Sequence, residues 1–290
     1  VESDKSCPHR ALLIGSVCIG LSRIKNLLES QDVMNTLKCL KALKVKILKK
    51  NKTYIIYGNG LGSLQQPKNN RLYVGNSGTL ARMLCGLIAT NPNLKIKIFG
   101  DKSMNKRDMF RVIEPLQKIG CFFYPVGKTT LPLTIKSTSM PLAQHHNETI
   151  GSAQTKSTIL LASLNAPGKS TIYQKKMSRD HTENFLVSAK ARIIIKKFKK
   201  GNLISLIGQK KLSCINLEIL GDPSSAAPFI ALTLLTPGSK LLIKNVNCNP
   251  TRLGFINILK KMNARIKLIN VKTVSSEKSG DILIKSSNLK

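Results

Sequence analysis

The stretch Val74-Gly75-Asn76-Ser77-Gly78-Thr79-Leu80-Ala81-Arg82-Met83-Leu84-Cys85-Gly86-Leu87 predicts the end of a strand, a tight glycine turn and a helix in direct succession. Apolar residues recur with helical spacing from Leu80 onward. The free backbone N–H groups at the start of such a helix, with the positive end of its dipole, form an anion site. Gly75 and Gly78 let a ligand approach the backbone closely, and Arg82 adds a cation that can bind a phosphate or carboxylate. An ordinary capped turn is the alternative interpretation.

The chain is strongly basic, with 47 Lys and Arg against 14 Asp and Glu, a net charge of +33 over 290 residues. Such a charge favours anionic partners, either nucleic acid, acidic membranes or small phosphorylated substrates. The lysines are spread over the chain, and dense runs occur only at Lys196–Lys200 and Lys49–Lys52. Aromatic residues are 4 % with no Trp, which leaves few stacking platforms for single strands. We therefore interpret most of the charge as solvated surface and expect no nucleic-acid partner, although a basic nucleic-acid-binding protein stays an alternative.

Cysteine and histidine usage predicts neither disulfides nor a metal site. The seven cysteines are scattered without a C-x-x-C pair, as expected for reduced, mostly buried thiols in a cytoplasm. The four histidines share no zinc-ligand spacing, and we expect each at the surface or at a helix cap: His9, His145, His146 and His181. No apolar run reaches the ~18 residues that a membrane span needs, so we expect no membrane partner.

The predicted elements form a weak internal repeat of the form β-α-β-α-β-β. The first helix is predicted over Ala11–Gly20, with a strand over Leu21–Leu27, and a later helix over Ser157–Leu164. No strand is predicted between residues 136 and 150. Asp-x-Ser recurs before helices, at Asp4-Lys5-Ser6, Asp101-Lys102-Ser103 and Asp222-Pro223-Ser224. Each is a good helix cap, and three in register also suggest similar helix starts facing one cleft.

Polar residues gather at the predicted junctions before helices, and nearly all are cations or hydrogen-bond donors. They are Lys5, Ser6, Arg10, Asn76, Gly78, Arg82, Lys106, Arg107, Ser152, Gln154, Arg179 and His181. If they converge, the site suits a substrate pair with several negative charges. The set contains no carboxylate pair and no Ser/His/Asp arrangement, so it does not predict a nucleophilic enzyme.

Seven motifs together resemble the 5-enolpyruvylshikimate-3-phosphate synthase family, in the family's order and spacing from residue 4 to about 289. They are Asp4-Lys5-Ser6-x-x-His9-Arg10-Ala11, Gly75-Asn76-Ser77-Gly78-Thr79, Gly100-Asp101-x-Ser103-x-x-Lys106-Arg107, Ser152-Ala153-Gln154-x-Lys156-Ser157, Arg179-Asp180-His181-Thr182-Glu183, Gly221-Asp222-Pro223-Ser224-Ser225-Ala226 and Asn249-Pro250-Thr251-Arg252. The related UDP-N-acetylglucosamine enolpyruvyl transferases fit the first and sixth motifs less well.

The resemblance implies an α/β fold of the enolpyruvyl-transferase type, with two lobes built from β-α-β-α-β-β units. Residues 1–220 would form the first lobe with three units, and residues 221–290 the first part of an incomplete second lobe. It also implies transfer of the enolpyruvyl group of phosphoenolpyruvate to the 5-hydroxyl of shikimate 3-phosphate, with release of phosphate. The activity would be cofactor-free, in a cytoplasmic monomer that binds these two small molecules.

The motifs that match imply two sets of binding residues. Shikimate 3-phosphate would be held by Lys5, Ser6, Arg10, Ser152, Ala153, Gln154 and Arg179. Phosphoenolpyruvate would be held by Lys5, Gly78, Arg107 and Gln154, at the position where glyphosate competes in the family.

The chain also departs from the family pattern. Ser3 replaces a glycine and Pro8 replaces a serine around the first motif. The aspartate that accepts a proton in the family would lie beyond Lys290, so no catalytic residue is assigned and this chain alone is expected to be inactive. A non-catalytic remnant that binds shikimate 3-phosphate is the alternative.

Overall fold

The computed structural model describes residues 1–290, which form eight α-helices and fifteen strands. The helices are α1 (Cys7–Val17), α2 (Gln31–Ala42), α3 (Gly78–Ala89), α4 (Phe110–Ile119), α5 (Ala153–Ser163), α6 (His181–Ser188), α7 (Pro223–Leu235) and α8 (Gly254–Lys261). The strands are β1 (Ile19–Lys25), β2 (Lys46–Lys50), β3 (Thr53–Asn59), β4 (Arg71–Tyr73), β5 (Lys95–Phe99), β6 (Phe122–Tyr124), β7 (Leu133–Lys136), β8 (His145–Glu148), β9 (Lys169–Gln174), β10 (Arg192–Phe198), β11 (Gly201–Ile207), β12 (Asn216–Glu218), β13 (Lys240–Asn247), β14 (Arg265–Val274) and β15 (Glu277–Lys285). No helix is both long enough and apolar enough to cross a membrane.

The predicted repeat is confirmed. The unit β4-α3-β5-α4-β6-β7 forms a sheet of order β4-β5-β7-β6, and the unit β8-α5-β9-α6-β10-β11 forms one of order β8-β9-β11-β10. In both, the first two strands are parallel, and the last strand of the unit lies between its second and third strands, antiparallel to both. The parallel pair needs a crossover, and the first helix of each unit supplies it.

The first unit takes its opening strand from far along the chain. Its sheet has the order β12-β1-β3-β2, and β12 pairs with β1 in parallel, Arg23 opposite Asn216. The same pattern therefore recurs three times around one hydrophobic core of 58 buried residues. Because β12 pairs with β1, the beginning and the end of residues 1–220 lie in the same sheet.

The helix that opens each unit is packed in the middle of this core. Every residue of α1 is buried, which explains why its sequence shows no polar face. The helices α3 and α5 approach so closely that a Cβ on Gly86 would lie 2.2 Å from the carbonyl oxygen of Thr158. Their N-terminal ends lie side by side as well, since Gln154 in the first turn of α5 donates to Thr79 in the first turn of α3 at 3.0 Å.

Residues after 220 form a smaller unit, α7-β13-α8-β14-β15, with a three-stranded sheet of order β13-β15-β14 and a separate core of 11 buried residues. Backbone bonds join it to the start of the chain. The N–H of Asp4 donates to the carbonyl of Leu220 at 2.8 Å, and the N–H of Asp222 donates to that of Glu2 at 2.8 Å.

Three local predictions differ from the structure. Helix α1 begins at Cys7, four residues before the predicted Ala11, because the Asp4 carboxylate caps it and Pro8 suits its first turn. Helix α5 begins at Ala153, since Ser152 caps it by accepting from the N–H of Thr155. Strand β8 was missed because its sequence, His-His-Asn-Glu, has no apolar alternation; pairing with β9 forms it.

Candidate functional site

A cleft of about 430 Å³ lies where the starts of α1, α5 and α6 meet. Its lining is polar and contains no Asp or Glu. The lining residues are Ser6, Arg10, Thr79, Gly151, Ser152, Ala153, Gln154, Met177, Ser178, Arg179 and Thr251. Several helix N-termini and two arginines therefore face one space, an arrangement that favours anions.

The start of α1 is organised by Asp4, as the sequence predicted for a cap. Its Oδ1 accepts from the N–H of Ser6 at 2.7 Å and of Cys7 at 2.8 Å. The carboxylates of Asp101 and Asp222, in the other two Asp-x-Ser motifs, likewise accept a backbone N–H at 2.7 and 2.8 Å. Capping thus accounts for the repeated motif. The same Asp4 carboxylate holds Ser6, which lines the cleft.

Arg10 is only 3 % exposed, and three hydrogen bonds hold its guanidinium group. Its Nε donates to Thr182 Oγ1 at 2.9 Å, its Nη1 to the carbonyl of Ser6 at 2.9 Å and its Nη2 to Ser157 Oγ at 3.4 Å. Burial lowers the pKa of Arg10 from its ordinary value, but a guanidinium stays charged at neutral pH. Three of the five N–H donors of Arg10 are used in these bonds, which leaves two for a ligand. Because the three bonds already fix the guanidinium, Arg10 is preorganised for binding.

The loop before α5 is fixed by a buried carboxylate. Glu148 Oε1 accepts from the N–H groups of Ile150, Gly151 and Ser152 at 3.0, 3.0 and 3.2 Å. Gly151 has a φ of +81°, which a residue with a side chain adopts only with strain. This loop places Ser152 and the first turn of α5 at the cleft.

Gln154 connects the cleft to the glycine turn of α3. Its Nε2 donates to Thr79 Oγ1 at 3.0 Å, and its Oε1 accepts from Arg82 Nη1 at 2.7 Å. A Cβ on Gly78 would lie 3.0 Å from Arg82 Nη1 and 3.2 Å from Arg107 Nη1. Two guanidinium groups thus lie directly over a backbone that carries no side chain.

The comparisons agree on one family. The profile described as EPSP synthase (3-phosphoshikimate 1-carboxyvinyltransferase) matches residues 1–289. The chain belongs to the EPSP synthase family. A 3-phosphoshikimate 1-carboxyvinyltransferase of Zymomonas mobilis is 37% identical over 291 residues, and one of Brucella abortus is 39% identical over 293. The structure of EPSP synthase from Acinetobacter baumannii superimposes with a TM-score of 0.90 at 34% identity. Each match covers 100% of this chain and 64% of the relative.

The structure brings most of the residues implied by the EPSP synthase resemblance together. Ser6, Arg10, Ser152, Ala153, Gln154 and Arg179 line the cleft. Gly78 and Arg107 lie beside it, reached through Arg82 and Gln154. Lys5 does not line the cleft, since its Nζ pairs with Asp32 Oδ2 at 2.9 Å and its side chain is 64% exposed.

Some lining residues were absent from the predicted binding sets. They are Thr79, Gly151, Met177, Ser178 and Thr251. The signal for Thr251 was its place in one of the seven EPSP synthase motifs. Only the fold shows that this residue of the smaller unit reaches the cleft of the larger one.

The expectation that all four histidines are surface or capping residues was wrong for two of them. His9 is 1 % exposed and its Nδ1 lies 2.6 Å from Thr36 Oγ1. His181 is fully buried, and its Nδ1 lies 2.8 Å from Glu277 Oε1. Six of the seven cysteines are buried, as expected, and Cys214 is exposed.

A buried polar network joins the two parts of the chain beside the cleft. Glu277 Oε1 also accepts from Asn184 at 3.1 Å, and Glu277 Oε2 from Asn249 at 3.1 Å. Arg252 Nη1 and Nη2 donate to the carboxylates of Asp4 and Asp222. These contacts fix the smaller unit against α1 and α6.

This network predicts loss of stability in acid. Burial alone would raise the pKa of the Asp4 and Glu277 carboxyl groups. Arg252 beside Asp4 and His181 beside Glu277 lower these pKa values by more than burial raises them, so both lie below the ordinary range. A carboxyl group whose pKa is lower in the folded than in the unfolded chain stabilises the fold at pH values above its pKa in the unfolded chain, near 4. This stabilisation is lost as the pH falls through the pKa of the group in the folded chain. We expect the melting temperature to fall steeply below about pH 4.5.

The control for the acid effect is a pair of matched variants. Glu277→Gln should flatten the fall between pH 4.5 and 3, at the cost of a lower melting temperature at pH 7. Glu114→Gln, in an exposed i,i+4 pair with Lys118, should leave the profile unchanged. Identical profiles for wild type and Glu277→Gln would contradict the prediction.

Proposed function

We propose that these 290 residues provide the shikimate 3-phosphate site, and part of the phosphoenolpyruvate site, of a 3-phosphoshikimate 1-carboxyvinyltransferase. The reaction transfers the enolpyruvyl group to the 5-hydroxyl of shikimate 3-phosphate and releases phosphate. The convergence of Ser6, Arg10, Gln154 and Arg179 on one cleft without carboxylates supports this function most directly. The relatives bear this enzyme's name, and the chain spans 64% of their length.

The cleft offers three kinds of group to a phosphate monoester. Arg10 presents its two free N–H donors from a fixed position, and Arg179 adds an exposed guanidinium that no protein acceptor holds. Ser152 and Ala153 add the start of helix α5. Two polyanionic reactants repel each other, so fixed cations lower the cost of bringing them into contact.

Phosphoenolpyruvate would lie on the Gly78 side of the cleft. Arg107 and Arg82 flank that glycine, and Gln154 lies between this position and the shikimate 3-phosphate position. Lys5 would bind phosphoenolpyruvate after its ion pair with Asp32 breaks. This break costs little, because an exposed ion pair contributes only about 0–1 kcal/mol. The substrate hydroxyl would then lose its proton and attack C2 of phosphoenolpyruvate as C3 takes a proton. The tetrahedral intermediate would next lose a proton from C3 and expel phosphate, which restores the double bond of the enolpyruvyl group.

Residues 1–220 and 221–290 would act as parts of two lobes in this proposal. Thr251 lines the cleft from the second part, so approach of the lobes would reduce the water in the cleft and strengthen its charge interactions. A cofactor-free reaction, a monomeric state and a cytoplasmic location stay predictions from the sequence.

Calorimetric titration of the 290-residue chain with shikimate 3-phosphate tests the proposal. We expect saturable binding that weakens with ionic strength, and at least tenfold weaker binding of unphosphorylated shikimate. Equal affinity for the two ligands would refute the phosphate site. An assay for released phosphate with both substrates tests the separate prediction that this chain alone does not turn over, and product formation would contradict it.

Gly78→Ala is expected to weaken phosphoenolpyruvate and glyphosate but to spare shikimate 3-phosphate. The new Cβ would lie 3.0 Å from Arg82 Nη1 and 3.2 Å from Arg107 Nη1, in the space over the glycine backbone. Both ligands would be measured by displacement in the presence of shikimate 3-phosphate.

Gly254→Ala is the matched control for Gly78→Ala, since a Cβ there meets nothing within 4 Å. We expect about a tenfold or greater loss of glyphosate affinity in Gly78→Ala and none in Gly254→Ala. Unchanged glyphosate binding by Gly78→Ala would remove this glycine from the proposed site.

A further inference from the structure

Two buried hydroxyl groups contact the guanidinium group of Arg10, and neither belongs to a residue that lines the cleft. Thr182 is the second residue of α6 and Ser157 lies in α5, and each is 1 % exposed. Their hydroxyl oxygens are 2.6 Å apart. Arg10 donates from Nε to Thr182 Oγ1 at 2.9 Å and from Nη2 to Ser157 Oγ at 3.4 Å, so one edge of the guanidinium lies against both hydroxyls.

The hydrogen bonds of these two hydroxyls run in one direction. Ser157 Oγ donates its single proton to the carbonyl of Ala153 at 2.6 Å, so Ser157 can only accept from Thr182. Thr182 therefore accepts from Arg10 and donates to Ser157. The chain of bonds starts at the guanidinium and ends at Ala153, the first residue of α5, which lines the cleft.

The same bonds determine which donors of Arg10 remain for a ligand. Nε carries one proton, which is used, and Nη1 donates once, to the carbonyl of Ser6 at 2.9 Å. Each terminal nitrogen carries two protons and uses one of them. One N–H is therefore left on Nη1 and one on Nη2, a pair that can bind two oxygens of a phosphate or carboxylate.

Thr182 is held in place by the residues on either side of it. His181 Nδ1 lies 2.8 Å from Glu277 Oε1, and Glu183 Oε1 lies 2.6 Å from Lys156 Nζ. All four of these side chains are buried. The second contact links α6 to α5, the two helices that the hydroxyl pair also joins. The hydroxyl of Thr182 therefore has a fixed position before any ligand binds.

We propose that Thr182 is a positioning residue for the anion site, an inference that rests on the proposed function. Thr182 does not touch shikimate 3-phosphate but holds Arg10 in the orientation that binds it. A ligand that meets a prealigned guanidinium binds more tightly, because the side chain loses little freedom on binding. Valine has nearly the shape of threonine without the hydroxyl, so Thr182→Val leaves the Nε–H of Arg10 buried without an acceptor.

Calorimetric titration with shikimate 3-phosphate tests this role in the 290-residue chain. Thr182→Val should weaken binding about tenfold or more. Thr182→Ser keeps the hydroxyl and should bind within about threefold of the wild type. In an Arg10→Gln background, Thr182→Val should cause less than about a twofold further loss, because its effect acts through Arg10. An unchanged affinity in Thr182→Val, or an equal loss in both backgrounds, would overturn the proposal.

Thr90→Val is the matched control. Thr90 is 2 % exposed and donates to the carbonyl of Ala162 at 3.0 Å, so this variant also loses a buried hydrogen bond, but outside the cleft. It should bind shikimate 3-phosphate as the wild type does. Far-ultraviolet circular dichroism and the melting temperature establish that each variant is folded, and Thr182→Ala is the substitute if Thr182→Val does not fold.

The ligand-free chain gives a readout that does not depend on shikimate 3-phosphate. In two-dimensional proton–nitrogen NMR spectra, the Nε–H of Arg10 is identified by its loss in Arg10→Gln. We expect this proton to exchange slowly with water in the wild type and in Thr182→Ser, and faster in Thr182→Val. Equally slow exchange in Thr182→Val and the wild type would overturn the positioning role. If the wild type has the slow proton but does not bind shikimate 3-phosphate, the proposed function is wrong, and Thr182 holds Arg10 without a part in binding this ligand.

Discussion

Lys156→Met is expected to lower the free energy of unfolding by about 3–5 kcal/mol. The Lys156 Nζ lies 2.6 Å from Glu183 Oε1, and the two side chains are 1% and 2% exposed. Lys156 also donates to Gln174 at 3.3 Å, so the pair joins helix α5 to α6 and to the end of strand β9. Without the lysine, a carboxylate is left buried without a counter-ion. Burial already raises the pKa of Glu183, and Glu183 Oε2 has no partner of its own.

Urea unfolding followed by circular dichroism measures this effect. Lys118→Met is the matched control, because Lys118 forms an exposed ion pair with Glu114 and should cost less than about 1 kcal/mol. The double variant Lys156→Met with Glu183→Leu should recover most of the loss, since both partners are then apolar. If Lys156→Met and Lys118→Met lower the free energy of unfolding equally, Lys156 and Glu183 do not form a charged pair.

The second large effect is expected at the two arginines of the cleft. Arg179→Gln should weaken shikimate 3-phosphate about 10- to 100-fold, the equivalent of one charged hydrogen bond at about 1.5–3 kcal/mol. Arg10→Gln should weaken it more than about 30-fold, because the guanidinium is buried and prealigned, and losing one member of a buried charge pair costs about 2–5 kcal/mol. The difference in burial between the two residues gives the order.

Calorimetric titration with shikimate 3-phosphate separates binding from folding in these variants. Arg71→Gln, at an exposed arginine of β4 outside the cleft, should bind as the wild type does. Arg179 makes no internal hydrogen bond, so Arg179→Gln should keep the wild-type melting temperature. Arg10→Gln should be less stable, because its contacts to Thr182 and Ser157 are lost. Wild-type affinity in both variants would exclude this cleft as the phosphate site.

The repeat could be predicted from the sequence because its signals are local. A capping aspartate in each Asp-x-Ser motif, the glycine turn before α3 and helical spacing after it are all properties of adjacent residues, and the structure confirms them. Strand β8 could not be predicted, since His145–Glu148 becomes a strand only through its pairing with β9. The same holds for the position of β12, which takes the first place in the first sheet although it follows all its partners in the chain.

The sequence by itself determined the family, the repeating unit and which helix starts carry cations, because caps, glycines and periodic apolar residues act over one or two turns. Only the tertiary structure decided that Arg10 is held by Thr182, that Thr251 enters the cleft and that His181 lies against Asp4 and Cys7. These contacts join residues far apart in the chain. They depend on the return of β12 to β1 and on the packing of α1 against α6, and no local pattern encodes such distances.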